Sequence, residues 1–138
     1  MTKQQIKYFD GYKYQLAVDY TLLVPVDSEA IVNTQFVTLT PYGELTIRAG
    51  YAWDGPSGPT IDTRSGMRGS LVHDALYQLM REEKIGTHNR PLADELLCKL
   101  CIEDGMWKWR AWLWRREVKK FAGFAAMAEN NKQIITAP

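Results

Sequence analysis

The sequence predicts an α+β fold: a small antiparallel β-sheet (residues ~10–53) packed on about three α-helices (~67–84, ~91–104 and ~107–129). Three observations predict it. Every even-numbered residue from Tyr12 to Val26 is apolar or aromatic, while the odd positions include Lys13, Gln15, Asp19 and Thr21. Two further β-rich stretches flank Pro41-Tyr42-Gly43. Beyond a Gly/Pro-rich segment the apolar period then changes from two residues to three and four. Strands followed by helices within 138 residues predict one core and a single domain spanning residues 1–138.

The first β segment is a long half-buried strand, bent or bulged along its length, with Pro25 near its end where a missing N–H is tolerated. Next, "IVNTQFVTLT" and "ELTIRAGYAW" around the Pro/Gly turn form a hairpin. The stretch "DGPSGPTIDTRSG" (residues 54–66) leaves the sheet as a loop. Met67–Lys84 follows as the first helix, and "IGTHN" breaks it. Pro91 suits a helical first turn, with Asn89 or Arg90 near the cap, and the second helix closes before Gly105. The third helix starts near Trp107, and the tail "NNKQIITAP" is frayed or extended.

Composition excludes several classes. A net charge of +1 excludes a chain that is basic throughout. No apolar run reaches the 18 residues of a membrane span, and the polar, aromatic N-terminus does not resemble a secretory signal. The only cysteines, Cys98 and Cys101, lie three apart on one side of a helix, where a disulfide would be strained. They read as packed, reduced thiols of a cytoplasmic protein, with half of a metal site as the alternative.

A helical wheel sorts the polar groups. In the first helix Leu71, Val72, Ala75, Leu76, Leu79 and Met80 form the apolar arc, with His73 and Tyr77 stacked at its edge. Asp74, Ser70 and Arg81 occupy the polar face. In the second helix Asp94 falls on the buried side between Cys98 and Cys101. A carboxylate there needs donors, and His73, Tyr77 and Arg90 are the candidates if the two helices pack antiparallel. The third helix places Trp107, Ala111, Trp114, Val118 and Phe121 on one stripe, and Lys108, Arg110, Arg115, Arg116, Lys119 and Lys120 outnumber Glu117. The preferred reading is a core-facing aromatic stripe beneath a solvated basic face. The alternatives are a contact surface for nucleic acid or another anionic partner, or for lipid.

Three motifs in order, "AGYAWDGPSGP", "LVHDALYQ" and "RPLADELLCKLCIEDG", resemble the DUF1353 family of small proteins from tailed bacteriophages and prophages, whose function is not established. The resemblance covers roughly residues 45–106 and carries Asp54, Gly55, Ser57, Pro59, His73, Asp74, Tyr77, Arg90, Ala93 and Asp94 as family-like positions. This chain departs from the family in reading Gly-Pro-Ser-Gly-Pro through the turn. The resemblance implies a phage origin and an approximate fold, and no reaction.

Function therefore divides three ways. The preferred reading is a phage-encoded accessory or virion-associated protein, made in the host cytoplasm, with a phage or host protein as partner and no cofactor. Its His/Asp/Tyr cluster would be a structural clamp, and its Trp-rich basic helix the interaction surface. The alternative is a hydrolase, acting on a cell-wall bond, with Ser57, His73 and Asp94 as the acid–base site and Asp54 and Asp74 beside it. Least favoured is a divalent-metal phosphohydrolase of the HD type, which would need ligands beyond His73, Asp74 and the other histidine, His88.

Overall fold

The computed structural model describes residues 5–9, 14–26, 28–53, 55, 63–113 and 115–116. Its strands are β1 (Tyr8–Phe9), β2 (Tyr14–Leu16), β3 (Tyr20–Leu23), β4 (Val32–Asn33), β5 (Val37–Leu39), β6 (Glu44–Ile47) and β7 (Ala52–Trp53). The fold is α+β, but the strands make two sheets rather than one. One sheet has the order β1-β2-β7 and the other β3-β6-β5-β4, with every pairing antiparallel.

The two sheets come from one bent ribbon. Tyr14 pairs with Trp53 in the first sheet and Tyr20 with Ile47 in the second. Six residues forward on one strand match six residues back on its partner, so the register is the same on both sides of the break. Between the sheets Leu16 N–H donates to Tyr51 O (2.8 Å), Gly50 N–H donates to Leu16 O (2.7 Å), and Ala49 N–H is taken by the Asp19 carboxylate (2.8 Å). The period-two pattern thus marks a true pairing, and Leu16, Tyr20, Val24 and Val26 are buried as it predicts. Val18 sits at the bend and is exposed instead. Tyr12, at the start of the expected strand, lies outside the described residues. Bending brings both halves of the ribbon onto one helix, as the strong twist of a two-stranded ribbon allows.

That helix, α1 (Thr63–Arg81), begins four residues before the expected start and ends three residues before the expected end. From Ser65 to His73 every residue is buried, and Asp74, Gln78 and Arg81 form a narrow, half-buried stripe. Ser70, expected on the polar face, is enclosed and accepts a hydrogen bond from the Trp53 indole (3.0 Å). The helix stops early because Glu83 adopts a left-handed conformation (φ 58°), with Lys84 N–H donating to Leu79 O and Glu83 N–H to Met80 O.

After a 3-10 turn at Thr87–Asn89, α2 runs Arg90–Glu103 with Pro91 in its first turn. It ends in a Schellman arrangement: Gly105 has φ 106°, Met106 N–H donates to Cys101 O (2.9 Å) and Gly105 N–H to Ile102 O (3.1 Å). α1 and α2 pack tightly at Gly69, where a Cβ would stand 2.7 Å from Cys101 Sγ and 3.1 Å from Leu97 Cδ1. Both cysteines are free thiols, and burial pushes Cys101 up to about 12. It packs as a small apolar residue.

A third helical segment covers residues 108–113 and 115–116. Ala111 is buried on its inner side, as expected, but Trp107 is 69% exposed, which corrects the expectation at that position. Ala111 and Met106 pack against Leu97 and Cys101 on α2. Trp114, Val118 and Phe121 fall outside the described residues.

Candidate functional site

The antiparallel packing of α1 and α2 brings His73 and Tyr77, one turn apart on α1, onto Asp94 in the second turn of α2. His73 Nε2 lies 2.8 Å from Asp94 Oδ1, and Tyr77 O–H donates to the same oxygen at 2.6 Å. A carboxylate only accepts, so Nε2 carries a hydrogen. The His73 and Tyr77 rings stack with centroids 4.2 Å apart and planes tilted by 30°. Asp94 is 1% exposed and His73 7%. Asp94 Oδ2 is buried and has no hydrogen-bond partner among the described residues.

The charges explain the proton positions. Burial pushes the His73 pKa down, but the carboxylates of Asp74 and Asp94 push it up, and their sum leaves it raised. Asp74 acts from 3.9 Å off Nδ1, which suits an ion pair and is too long for a hydrogen bond. The Tyr77 phenol is held well above its ordinary value, first by burial and then by the Asp94 carboxylate, with the charge of Arg90 opposing. Below its raised pKa, His73 is thus an imidazolium stacked on a neutral phenol, and both groups donate to one carboxylate.

Of the three donors expected for Asp94, His73 and Tyr77 supply its hydrogen bonds and Arg90 does not. Arg90 is half-buried at the start of α2, and its charge opposes the rise of the Tyr77 pKa. Asp74 stands on the partly exposed stripe. Asp54 and Ser57, which the hydrolase alternative would bring to this cluster from the loop, lie outside the described residues. Gly55 between them has φ 81° and packs so tightly on Tyr14 that a Cβ would stand 2.3 Å from the ring. This is the backbone freedom that a glycine in such a turn supplies.

For a Ser57–His73–Asp94 relay, Asp94 occupies Nε2, so only Nδ1 could receive a proton. His88 lines an open groove of about 1180 Å³ between residues 28–33 and 83–88, and none of His73, Tyr77 and Asp94 lines it. Among the described residues, no group of three or more His, Cys, Asp or Glu side chains could hold a metal ion.

A second buried polar cluster was missed by the sequence reading. Arg68, 6% exposed in the first half of α1, donates through Nε to Asp104 Oδ2 (3.0 Å) and through Nη1 to Tyr20 OH (3.1 Å). Its Nη2 faces Glu103 Oε1 at 3.6 Å without a hydrogen bond. Burial would lower the Arg68 pKa, but Tyr20 and Asp104 leave it raised. The signal was available, since Arg68 lies three and four residues before Leu71 and Val72 and so belongs to the apolar arc.

The basic residues expected at the third helix separate. Arg115 pairs with Glu95 on α2 at 3.3 Å, and Arg110 is half-buried. Lys108 is exposed, and Arg116 lies over the Trp112 ring at 5.6 Å. Trp109 (57%) and Trp112 (51%) are exposed beside them, and Trp107 and Trp109 are in contact with centroids 6.2 Å apart.

Comparison with known proteins gives no match for this arrangement: no family model matches the chain, and neither a curated protein nor a solved structure is significantly similar to it.

Proposed function

We propose that this is a non-enzymatic accessory or virion-associated protein of phage origin. In this reading His73, Tyr77 and Asp94 clamp the helices together, and the Trp-rich basic segment makes contact with a partner. The observation that carries the clamp is a carboxylate inside the core that accepts both of its donors on one oxygen. A catalytic histidine must meet its substrate, and a ring 7% exposed, with one nitrogen committed to Asp94, favours holding over reacting. The phage origin rests on the ordered motifs, two of which supply the His73, Tyr77 and Asp94 that meet here. The host cytoplasm is then the place of synthesis, and the virion or a host component the place of action.

Thermal melting of His73→Ala tests the clamp. Losing its charged partner leaves Asp94 buried with Tyr77 as sole donor, and a loss of about 3–5 kcal/mol follows. His73→Gln keeps an N–H donor and should recover part of that loss. A His73→Ala protein that melts with the wild type rules the clamp out, and a hydrolytic role for the same residues becomes the better reading.

A further inference from the structure

The described face of the third helical segment identifies what kind of partner it suits. Lys108, Trp112 and Arg116 follow one another at four-residue spacing, and Trp109 and Leu113 form a second row beside them. All five are exposed, while Ala111 on the opposite side is buried. One helical face therefore offers two indoles and a leucine between cations, with no acidic residue on it. Six cations and one glutamate fall between residues 108 and 120, a local charge of +5. The net charge of +1 leaves −4 for the rest of the chain. This segregation turns the Trp-bearing end toward an anionic surface.

Two anionic macromolecular surfaces could accept it, and the geometry separates them. Reading unpaired bases requires aromatic faces open for stacking. Here Arg116 lies over the Trp112 ring at 5.6 Å, the Trp107 and Trp109 planes are inclined by 54°, and Leu113 adds apolar surface that phosphate and base cannot use. A lipid interface uses all of these features. Indoles settle at the headgroup level, leucine enters the acyl boundary and the flanking cations meet anionic headgroups. No described helix is long and apolar enough to cross a membrane, so this contact lies along the surface.

We infer that the Trp109/Trp112/Leu113 face, flanked by Lys108 and Arg116, binds the surface of an anionic lipid bilayer. This rests on the proposed contact role of the segment and specifies its partner.

The test is co-sedimentation of the full chain with vesicles of phosphatidylcholine alone and of phosphatidylcholine mixed with phosphatidylglycerol, read together with tryptophan emission. The expected result is binding to the mixed vesicles only, with a blue-shifted emission and release by added salt. Trp109→Ser/Trp112→Ser should weaken partitioning on the order of tenfold. Lys108→Gln and Arg116→Gln should each weaken it about fivefold. These side chains are exposed, so the variants should melt with the parent. Failure to bind the mixed vesicles overturns the inference, and so does undiminished binding by the double tryptophan variant. A parallel titration with single-stranded DNA separates the levels: DNA binding without vesicle binding ends the lipid assignment and keeps a contact segment, whereas binding to neither removes the contact role as well. The clamp is judged apart, by the melting of His73→Ala.

Discussion

The two buried polar clusters lie five residues apart on α1 and at the two ends of α2, and they solve opposite electrostatic problems. At one end a buried anion, Asp94, is met by His73 and Tyr77 from α1. At the other a buried cation, Arg68, is met by Asp104 and Glu103 at the end of α2 and by Tyr20 from β3. α1 contributes the donors to both, and α2 contributes a carboxylate at each of its ends. Between them Gly69 lets the helices close to contact. Such a pair fixes the sliding register of two helices that apolar packing alone would constrain weakly, because shifting either helix unpairs a buried charge at both ends.

The clusters differ in their access to water, and that difference sets the ranking of expected effects. His73→Ala should be the most damaging change, about 3–5 kcal/mol and a melting shift on the order of 10 °C, because the stranded Asp94 has no route to solvent. Arg68→Met should cost less, about 2–3 kcal/mol, because the side chains of Asp104 and Glu103 are 15% and 33% exposed and can rehydrate. Urea melts of the two variants side by side check the order. A larger loss in Arg68→Met would mean that solvent access does not control the cost. Tyr77→Phe should come third at about 1.5 kcal/mol, since it removes one charge-assisted hydrogen bond and leaves His73 on Asp94. A loss as large as that of His73→Ala would make the phenol, rather than the imidazole, the principal partner of Asp94.

These clusters also differ in how far a sequence reveals them. Asp94 was legible because an acid among Leu96, Leu97, Leu100 and Cys101 on one helical face contradicts its surroundings and demands a donor. Arg68 contradicts its surroundings in the same way, but a long side chain on an apolar arc also has the bland option of reaching water along its stem. Only the position of Tyr20 on a distant strand and of Asp104 at the end of α2 removes that option. The sheet had the same asymmetry. Alternation reported which side chains face inward, and they largely do, yet it is silent about where a ribbon bends. Residues 17–19 and 48–50 carry the bend through Asp19 and its contact to Ala49, a link between positions 30 apart in the chain. In the third helix the departure is at Trp107, which is exposed, while Ala111 of the same stripe packs with Met106 against Leu97 and Cys101 as expected.

The smallest expected effect sharpens the comparison most, because it separates the clusters by pH alone. Near neutrality the Arg68 cluster has no reason to respond, since its guanidinium is held above an already high value and burial raises the Tyr20 phenol. The other cluster contains His73, whose ordinary pKa lies there. Burial lowers the His73 pKa, and Asp74 and Asp94 more than restore it, so the folded value exceeds the unfolded one near 6.5. A group whose pKa rises on folding holds its extra proton only in the folded state. Its stabilisation is complete below the unfolded value and drains away as pH climbs through the folded one. The Tyr77 phenol does not blur this window, for burial and the Asp94 carboxylate push it further up. Wild-type stability should therefore decline from about pH 6.5 upward. His73→Gln, which donates to Asp94 without titrating, should lose that decline, and Arg68→Met should keep it. A wild type whose melting temperature stays level through this range, or a His73→Gln variant that declines in parallel with it, would mean that His73 meets Asp94 as a neutral imidazole. The clamp would then be a hydrogen bond between a neutral ring and a buried charge, and the α1–α2 pair would carry a compensated cation at one end and an anion without a countercharge at the other.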